Sequence, residues 1–317
     1  MDRKYLPVVA IVCIMIIVQF GAVAVVNLFP EEYQAFGEDT DDPINPLIYV
    51  GFIILFTGVM LAVMKYTEGS FIQYAILAVV GLTIFYVFYP VLFYFIPYVF
   101  RVGSVTLDLP FMIALFLGIS LTYLLYKFPE WYVVDGIGIV MGAGIAAIFG
   151  MSFGILPVFV LLIVLAVYDF ISVYKTKHMI SLASGVMKMK LPVMLVIPKR
   201  LDYSFYQKEG IMQEVDKDKK RDAVFIGLGD LIIPGILAVS AFYHLPGLTV
   251  ADLYAPSIVA IGCIMGSVIG LLVLMRFVLK GNPQAGLPLL NSGAILGYVL
   301  TYLVIYQELT LGITYPW

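Results

Sequence analysis

Two aspartates stand alone in apolar sequence. In the twenty-one residues from Gly154 to Tyr174, which include AVYDFISV, Asp169 is the only residue with a formal charge. Between Asp222 and His244, in the run that begins AVFIGLGDLIIPG, the only one is Asp230. An acid at the centre of a membrane helix costs about 2.5–3.5 kcal/mol on insertion scales, so its presence asks for a use. Two carboxyl groups in contact at a low-dielectric site do not both ionise cheaply, so they share a proton and titrate as a coupled pair. One member then acts as general base on a water while the other, protonated, donates to a carbonyl oxygen. That is the chemistry of amide hydrolysis without a metal.

The elements that must position these acids are membrane helices. The chain has 317 residues, of which 62% are hydrophobic and 12% charged, with a mean hydropathy of +1.03. Such a composition excludes a soluble fold. At roughly 20 apolar residues per crossing, the continuous runs predict nine spans, near 6–28, 46–64, 71–98, 107–126, 132–150, 154–174, 223–243, 256–279 and 285–306. The runs do not alternate, which argues against a β-barrel. The first run is longer than the apolar part of a secretory signal and lacks a small-residue cleavage site, so it is read as a span. Cys13 and Cys263 both fall inside spans, and no disulfide framework is expected.

Lysine and arginine mark the cytoplasmic side. With the N-terminus inside, Arg3, Lys4, Lys65, Lys127, eleven cations from Lys175 to Arg221, Arg276 and Lys280 all fall in cytoplasmic segments, leaving only Arg101 outside. The first outer loop, PEEYQAFGEDTDDPINP, carries acids and no cation. The N-terminus is therefore expected in the cytoplasm and the C-terminus outside. The chain reads as one membrane domain over 1–317: spans one to six over 1–174, a partly mobile cytoplasmic loop over 175–222, and spans seven to nine over 223–317. Within the loop, the β-branched patch KLPVMLVIPKR reads as a strand or a surface-lying segment.

On this threading Asp169 lies about 9 Å, and Asp230 about 12 Å, from the cytoplasmic residues Lys175 and Asp222, at 1.5 Å per helical residue. Neighbouring antiparallel spans thus bring the two acids to similar depth. Around the second acid, Gly227 and Gly229 allow close backbone approach and a looser helix. Pro234 removes the hydrogen bond to the carbonyl of Asp230. Irregular backbone at this depth is tolerated only in protein or beside a wet cavity. At the start of the last span, QAGLPLLNSG, Pro288 biases Leu287 toward extended backbone and Gly286 adds freedom.

Together, YD at Tyr168 and Asp169, GLGD at 227–230 and LPLL at 287–290 resemble the motifs of the presenilin and signal peptide peptidase family of intramembrane aspartyl proteases. The order of motifs, the nine spans and the loop between spans six and seven agree, and the compact chain is similar to archaeal presenilin homologues. The resemblance implies a presenilin-like, all-α polytopic fold in which Asp169 and Asp230 are the catalytic pair. Tyr168, Gly227, Leu228, Gly229, Pro288, Leu289 and Leu290 would shape the site and receive substrate. Leu289 stands where the family has Ala, which puts the local geometry in question. The resemblance implies no cofactor and no metal, transmembrane protein substrates cut within the bilayer, and an integral multi-pass location, the cell membrane for a prokaryotic source. No nucleic-acid partner is expected, and the oligomeric state is left open. In the family, the region before the last span and the start of span seven pair with unwound substrate as an added strand.

Other chemistries fit less well. A zinc protease wants His-Glu-x-x-His, and the only histidines, His178 and His244, lack that pattern and lie in or beside loops. A prepilin-type GxGD peptidase is the nearest enzymatic alternative. A proton- or ion-coupled transporter or channel using the same acids is the non-enzymatic one, and the absence of an evident inverted repeat argues against it. Asp135 and Glu308 lie near span ends, where solvated or helix-terminal acids are expected.

Overall fold

The computed structural model describes residues 6–35, 40–66, 69–97, 99–102, 105–176, 194–198, 223–250, 252–278 and 284–313. Among these are nine α-helices: α1 (Leu6–Val25), α2 (Ile44–Tyr66), α3 (Gly69–Phe95), α4 (Leu109–Lys127), α5 (Trp131–Ser152), α6 (Ile155–Ile171), α7 (Leu228–His244), α8 (Ala255–Val278) and α9 (Leu287–Tyr306). Strands pair antiparallel in twos: β1 (Val99–Val102) with β2 (Val105–Asp108), β3 (Met194–Pro198) with β4 (Ala223–Gly227), and β5 (Thr249–Val250) with β6 (Leu253–Tyr254). Apart from Lys175, Thr176 and β3, the loop of 175–222 lies outside the described residues, as does His178.

Among the described residues, seven helical segments are long and apolar enough to cross a membrane, and two apolar stretches, Ile44–Leu55 and Leu228–His244, are shorter. The second is short because the start of span seven is not helix. Residues 223–227, AVFIG, carry β-branched and aromatic side chains that favour a pleated strand. They pair with MLVIP of β3, Val196 opposite Phe225. Asp230 therefore sits in the first turn of α7 rather than two turns inside a longer helix. The described part of the apolar patch in the loop, Met194–Pro198, is a strand, one of the two forms expected of the patch.

Helices α1, α5, α7 and α8 surround the core, where Met15, Val18, Ala22, Ala146, Ala147, Leu237 and Cys263 are fully buried. The first hydrophobic run is thus an integral part of the packed interior. Outward-facing positions remain apolar: Leu82, Phe116, Leu300 and Val304 are each more than three-fifths exposed. A surface of this kind is matched by lipid tails, which satisfy no backbone polar group and so favour helices.

Helices α8 and α9 approach most closely. A methyl group on Gly266 would collide with the carbonyl of Gly293, and one on Gly297 with the carbonyl of Gly262. Small residues permit this backbone contact, the usual source of helix affinity where lipid supplies no hydrophobic drive. Gly266→Val is therefore expected to lose about 1–3 kcal/mol of stability from overpacking, measured as a lower midpoint of thermal unfolding in detergent. An unchanged midpoint would contradict the packing.

Candidate active site

Asp169 occupies the last turn of α6, followed by a wider π-helical turn, Ser172–Thr176. The carboxyl group is buried, with 7% of the residue exposed. Its Oδ2 accepts a hydrogen bond from the amide of Leu287 at 3.2 Å. This donor exists because α9 begins there. Gly286 is the N-cap residue and Pro288 lies in the first turn, where a missing N–H costs nothing. The early amides of a helix have no internal partner, so that of Leu287 serves Asp169. Leu287 is the first helical residue, not extended as expected: a proline in the first turn fits helical backbone, and the preceding residue joins it.

Asp230 reaches the same place from the other side. It is half-buried and lies in the electrostatic field of Asp169. A methyl group built on Gly286 would lie 3.0 Å from its Oδ2 and 3.3 Å from its Oδ1. The Cα of Gly286 is thus pressed against the Asp230 carboxyl while its neighbour's N–H holds Asp169. Two successive residues touch both acids, and so α6, α7 and the start of α9 meet at one point.

Around this point the other motif residues divide. A methyl on Gly227, the N-cap residue of α7, would lie 3.5 Å from Asp230 Oδ2. Gly229 is exposed. Leu228 is turned away to α5, where its Cδ1 lies 3.4 Å from a methyl built on Gly142. Tyr168 is half-buried, and its carbonyl, with that of Asp169, accepts the Ser172 amide. Leu290 is fully buried, and the backbone of Leu289 lies against Gly270 of α8. Pro234 is inside α7 and leaves the Asp230 carbonyl without its helical donor.

Several supporting residues escape a reading by motif. Asn291 Nδ2 donates to the Leu162 carbonyl at 2.8 Å, tying α9 to α6 on one side of Asp169. Tyr174 Oη donates to Gln284 Oε1 at 2.6 Å on the other. Gln19 is fully buried; its Nε2 donates to the Leu231 carbonyl and its Oε1 accepts from Ser267 Oγ, joining α1, α7 and α8 beside Asp230. A lone amide in a greasy span is the signal that would have found Gln19 and Asn291, because an unpaired amide in lipid is costly.

Glu308 is exposed, as expected of a solvated acid. Asp135 is not: it is buried, and its Oδ1 accepts the Val196 amide of β3 at 2.8 Å. Its place near the end of α5 pointed to solvent, but the strand supplied by the loop covers it and offers a donor in water's place.

Residues 12–306 match the family described as signal-peptide peptidase, presenilin aspartyl protease. Among solved structures, two of a presenilin family intramembrane aspartate protease, in C222 and P2 space groups, are each 34% identical to the chain. The first covers 94% of this chain and 100% of its own, with a TM-score of 0.66; the second covers 95% and 99%, with a TM-score of 0.63. No match was found among curated proteins.

Proposed function

Because the chain belongs to the signal-peptide peptidase and presenilin family of aspartyl proteases, we propose that Asp169 and Asp230 are the catalytic pair with which it hydrolyses peptide bonds inside the bilayer. The protein is an integral, multi-pass membrane endopeptidase acting on proteins with transmembrane segments. The observation that carries the assignment of the pair is the junction at Gly286 and Leu287, which lies against both carboxyl groups.

With one proton between them, the ionised carboxyl takes a proton from water as the water oxygen bonds to the scissile carbonyl carbon. The protonated carboxyl gives its proton to the carbonyl oxygen. The resulting tetrahedral diol collapses as the amide nitrogen gains a proton, releasing a carboxylic acid and an amine. The chain's contribution is orientation: the backbone amide of Leu287 holds Asp169 still, and the first turn of α7 holds Asp230.

Gly227 and Gly229 keep the approach to Asp230 narrow but open, while Leu228 anchors α7 on α5. Pro288, Leu289 and Leu290 start α9 where the Leu287 amide meets Asp169, and Tyr168 flanks the pair. The outer edge of β4, three residues before Asp230, takes an unwound substrate segment as an added strand, which exposes the peptide bonds a helix hides. The placement of cations sets the threading, N-terminus cytoplasmic and C-terminus outside, within a single membrane domain. That direction of span six favours substrates whose own spans have their N-terminus outside.

The test is cleavage of a single-span substrate by the purified protein in lipid vesicles, together with binding of a hydroxyl-bearing mimic of the diol, which the pair holds more tightly than substrate. Cleavage blocked by the mimic is expected. Cleavage that persists when Asp169 and Asp230 are each replaced by asparagine overturns the assignment.

A further inference from the structure

A third buried acid, Asp135, takes no part in the chemistry above. It stands on a face of α5 that is shaped to receive the sheet. Trp131, one turn earlier, packs against the cluster of Val196 of β3 and Ala223 of β4, as does Phe225. Gly138, one turn later, leaves room for Leu195, whose Cδ2 would lie 3.1 Å from a methyl there. Between them, the Asp135 carboxyl accepts the Val196 amide.

This contact fixes which way the strand edges face. In an antiparallel pair, opposite residues exchange both backbone bonds or neither. Val196 turns its amide to Asp135, so it and its partner Phe225 form a pair that exchanges none. The N–H and carbonyl of Phe225 therefore point to the outer edge of β4, where among the described residues no strand pairs. One edge of the sheet is covered by an acid and, among the described residues, no strand pairs with the other.

We propose that Asp135 is a positioning residue: by covering the outer edge of β3 it locks the sheet onto α5 and leaves β4, the strand that leads through Gly227 to Asp230, as the edge that sets the register of the substrate. The idea rests on the reading of β4 as a substrate-pairing strand. An aspartate suits the task because a carboxylate accepts from an edge amide but offers no donor to a competing strand. Without it, the Val196 amide is left buried and unpaired, and a two-stranded sheet of five residues a side is free to fray or slip. A slip in β4 moves the bond presented to Asp169 and Asp230.

The experiment compares native chain, Asp135→Asn and Asp135→Leu in vesicles with a single-span substrate, reading cut positions by mass spectrometry and amide exchange at Val196. Asp135→Leu is expected to lower kcat/KM about tenfold or more, the factor that one lost charge-assisted hydrogen bond corresponds to. It is also expected to spread the cuts over neighbouring bonds and to speed Val196 exchange. Asp135→Asn, which keeps an acceptor oxygen, restores the native cut pattern. Native cut positions and native exchange in Asp135→Leu overturn the proposal. Should that variant not fold, the native chain decides: Val196, although it faces away from β4, must exchange as slowly as the paired amides of β3, and rapid exchange overturns the proposal. If the native chain cuts no substrate, the protease reading fails, while the exchange result still decides whether Asp135 covers the edge.

Discussion

Asp169→Asn and Asp230→Asn are each expected to reduce cleavage of a single-span substrate by at least about 1,000-fold. General acid and base groups contribute about 100- to 10,000-fold each, and here a single shared proton makes the two acids one unit, so either loss removes both roles. The substitution is nearly isosteric. Asparagine at 169 keeps an oxygen to accept the Leu287 amide now at 3.2 Å, so the helices should remain docked and the protein should elute unchanged in detergent. In the native chain the same pairing predicts a rate that falls on both sides of a pH optimum. Residual cleavage in both variants, at rates within tenfold of native, would place the chemistry elsewhere.

The second large effect is steric. Gly286→Val adds branched carbon where even a single methyl would lie 3.0–3.3 Å from the Asp230 carboxyl. The backbone itself permits the change, since Gly286 has φ −79° and ψ −50°, so the variant tests crowding rather than strain. The carboxyl must move, and a displacement near 1 Å costs on the order of 100-fold in rate. Gly286→Ala, needing only a few tenths of an ångström, is expected to fall between native and valine. The loss should appear in kcat, measured with saturating substrate, because the group displaced acts on the reacting bond. A native kcat in Gly286→Val would show that the residue does not constrain the pair.

Some of this arrangement is legible in the sequence alone. Each apolar run is long enough to require a helix in lipid, so the number and order of helices follow from composition, and a charge alone in such a run marks itself by its cost. The prolines also spoke locally: Pro234 and Pro288 restrict their own backbone wherever the chain goes. The sequence alone makes span seven too long because periodicity cannot separate a buried strand from a buried helix. AVFIG became a strand only because MLVIP, about thirty residues earlier, lies beside it. The burial of Asp135 is hidden from the sequence for the same reason, since its partner is 61 positions away.

By itself, then, the sequence determined nine apolar segments and two intramembrane acids on consecutive ones, because hydropathy and charge act residue by residue. Only the tertiary structure decided that Gly286 and Leu287 stand between those acids, that Gln19 and Asn291 brace them, and that one edge of the β3–β4 sheet is closed. Those are contacts between groups more than a hundred residues apart in several cases, and backbone amides and bare Cα atoms carry no letter of their own.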